Sequence, residues 1–268
     1  MNEYELEKGR VRQAFDHAAS GYDEHARLQR IVREEMLSRL DWVKFSPEVV
    51  VDLGCGTGGA LRGLRKRFPR ARLLGLDISS GMLAEARRHQ PWLRRPRLVC
   101  ADMERLPLRD ASVDLLFSSL TLQWSNAPEQ VFREARRVLR PGGLFLFSTL
   151  GPDTLHELRD AWRMADPEHT HVNLFYDMHD LGDALMRAGL RDAVMDVERL
   201  KLDYPDVQSV MRSLKGIGAH NGLAGRSRGL TGKGRLGRVR EAYEAHRGVS
   251  GMLPVSYEVV HGLSLIHI

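Results

Sequence analysis

A continuous apolar run that ends in a glycine-rich turn at residues 49–59 constrains the fold more than any other part of this chain. The segment reads Val-Val-Val-Asp-Leu-Gly-Cys-Gly-Thr-Gly-Gly. Such a run predicts a strand that is buried on both faces, as the strands of parallel sheets are. Closely spaced glycines let the backbone turn sharply and approach a bound molecule. The segment therefore predicts a buried strand that leads into a ligand-binding loop.

Strand-like and helix-like segments alternate after residue 49, which predicts an α/β fold with helices on both faces of a sheet. Strands are predicted at residues 49–53, 73–77, 98–101, 113–118, 144–149, 194–202 and 255–263. Helices are predicted at residues 24–40, 58–68, 129–139, 181–188, 207–214 and 239–246, and from Ser79 or Ser80 towards His89. The expected architecture is a seven-stranded, mostly parallel sheet.

The chain is predicted to comprise three regions. Residues 1–45 form an N-terminal helical segment that closes the active site, and residues 46–204 with 253–263 form the core around the ligand-binding loop. Residues 205–252 form a helical insertion before the last strand, because nearly fifty residues are too many for a simple loop. We interpret this insertion as a lid that also binds the substrate.

Charge and cysteine content narrow the possible setting and partners. The net charge is +5 and the excess lies in arginine clusters, but aromatic residues do not alternate with these arginines as in a nucleic-acid stacking surface. No apolar run approaches the roughly 20 residues that span a bilayer. The polar start is not typical of a secretory signal, and Cys55 and Cys100 do not make a disulfide framework. We therefore predict a cytoplasmic protein that binds neither membrane nor nucleic acid.

The glycine loop alone does not identify its ligand. Gly54, Gly56 and Gly59 fit the G-x-G-x-x-G pattern, and Asp77 follows at the distance of a ribose-binding acid. This pattern fits nicotinamide, flavin and S-adenosylmethionine (SAM) equally well. Asp52 favours SAM, because a carboxylate at this place would repel a pyrophosphate but suits a sulfonium and an ammonium group.

Four motifs in order resemble the class I SAM-dependent methyltransferases, whose fold is Rossmann-like. They are Asp-Leu-Gly-Cys-Gly-Thr-Gly, Leu-Asp-Ile-Ser, Ala-Asp-Met and Leu-Arg-Pro-Gly-Gly, and they fall within residues 49–149. The resemblance implies that Asp77 binds the ribose hydroxyls, that Gly54 and Gly56 approach the methionine part, and that Asp102 and Met103 meet the adenine. The candidate cofactor-binding residues are Asp52, Gly54, Gly56, Asp77, Ile78, Met82, Asp102, Met103 and Ser119.

Segments outside this core are similar to the malonyl-acyl-carrier-protein O-methyltransferases of biotin synthesis. They lie at residues 12–30, 120–124, 214–219, 229–233 and 253–260, so the resemblance covers nearly the whole chain. It implies methylation of the free carboxylate of a malonyl thioester on an acidic acyl carrier protein or on coenzyme A. Residues 226–240 carry six cations and no acid, which would suit such a partner.

The reaction needs no general base, because a carboxylate is already ionised at pH 7. Arg226 or Arg228 is the candidate that grips the carboxylate, and Tyr22 is the candidate that orients an oxygen. Gln123, Trp124 and Lys215 are candidate substrate-binding residues. His169 and His171 lack the ligand spacing of a metal site, so no metal is expected and they are interpreted as part of a polar loop.

Two alternatives remain open from the sequence. The chain also looks similar to a methyltransferase-fold arginine hydroxylase of mitochondrial complex I assembly, which acts on a different acceptor. A non-catalytic SAM-binding or nucleic-acid-binding protein is the other. Residues 264–268 depart from the ending of the family, and no role is predicted for them.

Overall fold

The computed structural model describes residues 4–91, 95–190, 192–224 and 232–265. Within these ranges one sheet has the strand order β3-β2-β1-β4-β5-β7-β6. Strand β7 runs antiparallel to both of its neighbours, and the other pairings are parallel. The strands are β1 (Val49–Leu53), β2 (Arg72–Asp77), β3 (Arg97–Cys100), β4 (Val113–Ser118), β5 (Leu139–Leu150), β6 (Val194–Tyr204) and β7 (Leu253–Leu265). The predicted seven-stranded, mostly parallel sheet is confirmed.

Ten α-helices lie in the described ranges, together with three short 3₁₀ turns. The helices are α1 (Lys8–Ala18), α2 (Tyr22–His25), α3 (Arg27–Arg39), α4 (Gly59–Arg67), α5 (Ser80–His89), α6 (Pro128–Val138), α7 (His156–Ala165), α8 (Met178–Arg187), α9 (Val207–Gly216) and α10 (Lys233–Glu244). Helices α9 and α10 fall inside the region read from the sequence as an insertion before the last strand.

The two faces of the sheet carry separate apolar cores, because neighbouring residues of a strand point to opposite faces. Val50 of β1 packs with Met36 and Leu61, which belong to α3 and α4. Val51 packs on the other face with Phe132 of α6 and with residues of α8. All five residues of β1 are buried, which explains why its sequence is an unbroken apolar run apart from one acid.

Two helical regions differ most from the predictions. The predicted helix at 24–40 is divided at Ala26, whose ψ of 47° interrupts the helical backbone between α2 and α3. Helix α7 was not predicted. Its buried residues are Glu157, Leu158, Ala161 and Ala165, and only Leu158 among them is a large apolar side chain. Leu158, Ala161, Trp162 and Ala165 do recur at helical spacing, so the sequence carries a short periodic signal that the prediction missed.

The N-terminal segment pairs with the region between α9 and α10. Leu6 and Leu223 form an antiparallel bridge, Glu7 N donates to Gly222 O at 2.9 Å, and Ala224 N donates to Glu5 O at 2.8 Å. The two parts of the chain that the sequence placed over the active site are therefore in contact with each other. In the part of the chain described by the structure, no helix has the length and apolar content required to cross a membrane.

Candidate active site

One pocket opens at the carboxyl ends of β1 to β5, the edge where ligands bind in open parallel sheets. It extends from the glycine loop to helices α7 and α9 without interruption. The sequence-predicted residues that line it are Tyr22, Gly54, Gly56, Asp77, Ile78, Met82, Asp102, Met103, Ser119, Gln123 and Trp124. We call the part formed by the ends of β1 to β4 the cofactor half, and the part formed by β5, α7, α9 and β7 the acceptor half.

The glycine loop after β1 is tight for two physical reasons. Gly54 has a φ of +74°, and its N–H donates to Leu76 O at 2.7 Å. A Cβ atom on Gly54 would overlap the side chain of Thr121. Gly56 has a φ of +51° but open space where a Cβ would point. Both positions require glycine by backbone conformation, and Gly54 requires it by packing as well.

Asp77 joins the loops that follow β1 and β2. Its carboxylate accepts from Gly56 N at 2.9 Å and from Ser79 N at 2.8 Å. Burial raises the pKa of Asp77 to about 6, and these backbone hydrogen bonds offset part of the rise. The carboxylate lines the pocket beside the loop, where it is placed to accept hydrogen bonds from a ligand.

Asp52 lies behind the pocket wall rather than on it. It is 1% exposed, and its neighbour Leu53 lines the pocket. Oδ2 of Asp52 has no hydrogen-bond partner among the described residues. Burial, and then the charge of Asp77, raise the pKa of Asp52 to about 8. A buried carboxyl without a partner favours a cationic ligand in front of it.

A lysine that the sequence reasoning missed holds the acid at the end of β3. Lys8 Nζ lies 2.6 Å from Asp102 Oδ2 and 2.6 Å from Glu104 Oε2. Glu104 N donates to the other oxygen of Asp102 at 3.0 Å. Lys8 also lines the pocket. No motif marks it, because it lies in the first turn of α1, far from Asp102 in sequence.

Helices α1 and α2 are attached to the same loops that form the cofactor half. Asp16 accepts from Ser79 Oγ at 2.7 Å and from Gly81 N at 2.8 Å, and Asp23 accepts from Thr57 Oγ1 at 2.7 Å. With the Lys8 ion pairs, the N-terminal segment is anchored after β1, β2 and β3. This arrangement places the half-buried Tyr22 on the pocket wall, where burial and the charge of Asp77 raise the pKa of its hydroxyl.

The acceptor half is mostly apolar. Gln123 is fixed within the wall, because Nε2 donates to Leu120 O at 2.8 Å and Oε1 accepts from Thr149 Oγ1 at 3.3 Å. Trp124 meets Phe15 edge to face with 5.1 Å between ring centroids. The apolar lining residues of this half are Leu150, Leu155, Leu158, Val172, Phe175, Leu214, Ile217 and Tyr257.

One predicted substrate residue does not lie on this wall, and two others cannot be placed relative to it. Lys215 is exposed and does not line the pocket, since helix α9 turns Leu214 and Ile217 towards it instead. Arg226 and Arg228 lie outside the described residues.

Polar residues that the sequence reasoning missed complete the acceptor half. His171, Asn173 and Asn221 line the pocket. Asn221 Nδ2 donates to Thr170 O at 2.6 Å, and Gly222 N donates to Asn173 Oδ1 at 2.9 Å. These bonds join the chain after α7 to the chain after α9. A pairing between two irregular segments leaves no periodic signal in the sequence.

The residues present fit SAM. The cradle of left-handed glycines suits a ligand that approaches the main chain closely, and the buried Asp52 carboxyl, whose Oδ2 has no hydrogen-bond partner among the described residues, suits a positively charged ligand. A nucleotide with a pyrophosphate would place anionic charge close to Asp52, which favours the sulfonium cofactor over nicotinamide or flavin dinucleotides.

Known proteins agree with this assignment. A family model described as a methyltransferase domain matches residues 51–147. The YcgJ protein from Bacillus subtilis has a TM-score of 0.60 and 16% identity, and the match covers 88% of this chain and 99% of that chain. Phosphoethanolamine N-methyltransferase 2 from Haemonchus contortus, solved in complex with SAM, has a TM-score of 0.58 and 15% identity over 94% of this chain and 57% of its own. These similarities confirm the Rossmann-like class I methyltransferase fold.

Sequence relatives narrow the family. The malonyl-[acyl-carrier protein] O-methyltransferase of Methylovorus sp. is 51% identical over 97% of this chain and 89% of its own length. The protein of the same name from Laribacter hongkongensis is 50% identical over 96% of this chain and 88% of its own. The chain therefore belongs to the malonyl-[acyl-carrier protein] O-methyltransferase family, and it is a SAM-dependent O-methyltransferase.

Proposed function

We propose that this enzyme transfers the methyl group of SAM to the free carboxylate of a malonyl thioester carried by an acyl carrier protein. One observation carries the proposal. A single pocket joins the polar cofactor half to an apolar acceptor half that ends at α7 and α9. Relatives that are about half identical over nearly the whole chain bear the name of this activity.

The chemistry asks the protein for position rather than for proton transfer. When bound, SAM supplies an electrophilic methyl group, which the carboxylate oxygen takes as the carbon–sulfur bond breaks and S-adenosylhomocysteine (SAH) leaves. The apolar side chains of the acceptor half exclude water, and the wall around Gln123 and Trp124 aligns the acceptor. Tyr22 as the orienting hydroxyl, and Arg226, Arg228 and Lys215 as substrate contacts, stay predictions within this proposal.

An exposed basic surface beside the acceptor half fits an acidic carrier protein. We define the carrier patch as Arg163, Met164, Lys233 and Arg238. Arg163 and Met164 are 71% and 75% exposed at the end of α7. Arg238 of α10 donates to Ala165 O at 3.1 Å, which brings α10 against the same end of α7. Of the cations that the sequence assigned to this surface, Arg235 is instead bound to the buried Asp166 at 3.0 Å.

A cytoplasmic location belongs to the proposal. Cys55 is buried and Cys100 is exposed, and neither forms a disulfide. Two free thiols suit a reducing compartment.

The activity is tested with SAM and malonyl-acyl carrier protein, with intact-mass detection of the carrier. We expect the mass of one added methyl group on the malonyl carrier, and none on acetyl carrier, which has no free carboxylate. Malonyl-coenzyme A serves as the acceptor without a carrier. Binding of SAM without any methyl ester would overturn the proposal.

The carrier patch is tested by charge reversal. Arg163→Glu with Lys233→Glu should raise the KM for malonyl-acyl carrier protein several-fold, because like charges repel the acidic carrier. The KM for malonyl-coenzyme A should change much less. Arg72→Glu is the control for a charge reversal elsewhere. This exposed arginine begins β2, at the end of the strand that faces away from the pocket. An unchanged KM for the carrier would place the docking surface elsewhere.

A further inference from the structure

The proposed acceptor carries a negatively charged carboxylate, so any cationic side chain of the acceptor half is a candidate contact for it. Among the described residues that line the pocket, only Lys8 and His171 can carry a positive charge. Lys8 lies at the cofactor half and is already paired with both Asp102 and Glu104. His171 is therefore the candidate cation on the acceptor side of the described pocket.

The ring of His171 is held in one orientation by two contacts. It stacks on Trp162 of α7 with 3.8 Å between centroids and an interplanar angle of 14°. Its Nε2 lies 2.8 Å from Asp166 Oδ2. The side chain is 13% exposed, so it is enclosed but reaches the pocket. Its Nδ1 has no hydrogen-bond partner among the residues that the structure describes.

Asp166 is arranged to fix the orientation of the His171 ring. It is 5% exposed, and it accepts from His169 Nδ1 at 3.1 Å and pairs with Arg235 at 3.0 Å. Hydrogen bonds from His169 and then His171 hold the pKa of Asp166 below its usual range. A carboxylate that accepts from Nε2–H leaves Nδ1 on the side of the ring that faces away from it. The guanidinium of Arg235 already pairs with the same carboxylate. We therefore do not interpret Asp166, His169 and His171 as a metal-binding site.

We propose that His171 binds the terminal carboxylate of the acceptor through Nδ1–H, with Asp166 as its positioning residue. This assignment rests on the proposed function, because it takes the acceptor to be a malonyl thioester. The geometry favours a short diacid monothioester, since the carboxylate must reach His171 while the thioester lies among the apolar residues around Leu158 and Tyr257. A hydrogen bond to the carboxylate, made in a pocket wall that excludes water, distinguishes such an acceptor from an uncharged acyl group of similar size.

The experiment measures how strongly the enzyme prefers a charged acyl group. Dissociation constants for malonyl and acetyl forms of the same carrier are determined by calorimetry with SAH present, so that no turnover occurs. Wild type should bind the malonyl carrier more tightly. His171→Gln should reduce this preference about tenfold to a hundredfold, the range for a hydrogen bond to a charged group. His171→Phe, which keeps a ring against Trp162, should reduce it similarly.

His169→Gln is the matched control, because His169 binds the same Asp166 but does not line the pocket. It should leave the preference within about twofold of wild type, the scatter expected away from the site. The affinity for SAH should stay unchanged in all three variants, which shows that the cofactor half is folded. If wild type prefers malonyl and both His171 variants keep the full preference, the assignment of His171 is wrong. If wild type forms the malonyl methyl ester but shows no preference, the carboxylate contact is wrong; if it forms no methyl ester, the proposed function itself fails.

Discussion

The two halves of the pocket are built in different ways. In the cofactor half, backbone hydrogen bonds shape the site. Gly54 N donates to Leu76 O, and the carboxylate of Asp77 accepts from two main-chain N–H groups. In the acceptor half, side chains from α7, α9 and β7 meet segments that are irregular, such as the chain around His171. The first half depends on local sequence, and the second depends on distant segments packing together. The cofactor half should therefore respond more sharply to single substitutions.

Gly54→Ala should have the largest effect on the cofactor half. The new Cβ overlaps Thr121, and a left-handed φ of +74° disfavours any other residue. We expect loss of measurable SAM binding and a lower unfolding temperature of the protein alone. Gly56→Ala is the control, because its Cβ would meet nothing within 4 Å and only the backbone term remains. Equal unfolding temperatures for the two variants would show that packing against Thr121 is unimportant.

Asp77→Asn should weaken SAM binding by about tenfold to a hundredfold, which corresponds to hydrogen bonds to a charged group of about 1.5–3 kcal/mol. An amide has one acceptor oxygen, so it cannot serve both Gly56 N and Ser79 N and also receive a ligand hydroxyl. Calorimetric titration with SAM measures the change. For wild type, the affinity should fall below pH of about 6, where Asp77 takes up a proton. A flat pH profile would contradict the role of this carboxylate.

Lys8→Met should weaken SAM binding by a factor of about two to five, since partly exposed ion pairs contribute up to about 1 kcal/mol. The change removes the pairs with Asp102 and Glu104 and loosens the anchor of α1. Stopped-flow release of SAH should become faster. Arg10→Met is the control, because Arg10 makes an exposed pair with Glu7 at 3.8 Å on the same helix. A larger effect of Arg10→Met than of Lys8→Met would refute the anchor.

Asp52→Asn should have the smallest effect on SAM affinity, because Asp52 lies behind the pocket wall, and its main effect should appear in the pH dependence of stability. The folded pKa of Asp52, about 8, lies above its unfolded value near 4, so the folded state holds the proton more tightly. Wild-type stability without cofactor should therefore fall from about pH 4 to pH 8, and Asn should remove this fall. Thermal unfolding at a series of pH values measures it. Identical slopes for both proteins would mean that Asp52 is not perturbed.

The sequence predicted the cofactor half well because its determinants are local. The apolar run at β1 and the acid at the end of β2 each lie within a few residues of the loop they serve, so their spacing carries the geometry. Ser79, one of the two residues predicted to begin α5, does cap it by accepting from Met82 N at 3.1 Å. The strand order itself places these loops side by side.

The acceptor half was poorly predicted for the opposite reason. His171 was interpreted as part of a polar loop, and its place on the pocket wall depends on Trp162 and Asp166. Helix α7, which supplies Trp162, packs against α10 and β7, so its place beside His171 depends on distant parts of the chain. Lys215 was assigned to the substrate, yet the rotation of α9 turns it outward. Such outcomes are fixed by tertiary packing, which no window of sequence contains.

The hydrogen bonds between residues 5–7 and 222–224 also have a kinetic consequence. They join the N-terminal segment at the cofactor half to the segment that follows α9 at the acceptor half. Neither segment can move away alone while these hydrogen bonds persist. We therefore expect that loosening this one pairing alters the off-rates of the spent cofactor and of the methylated carrier together.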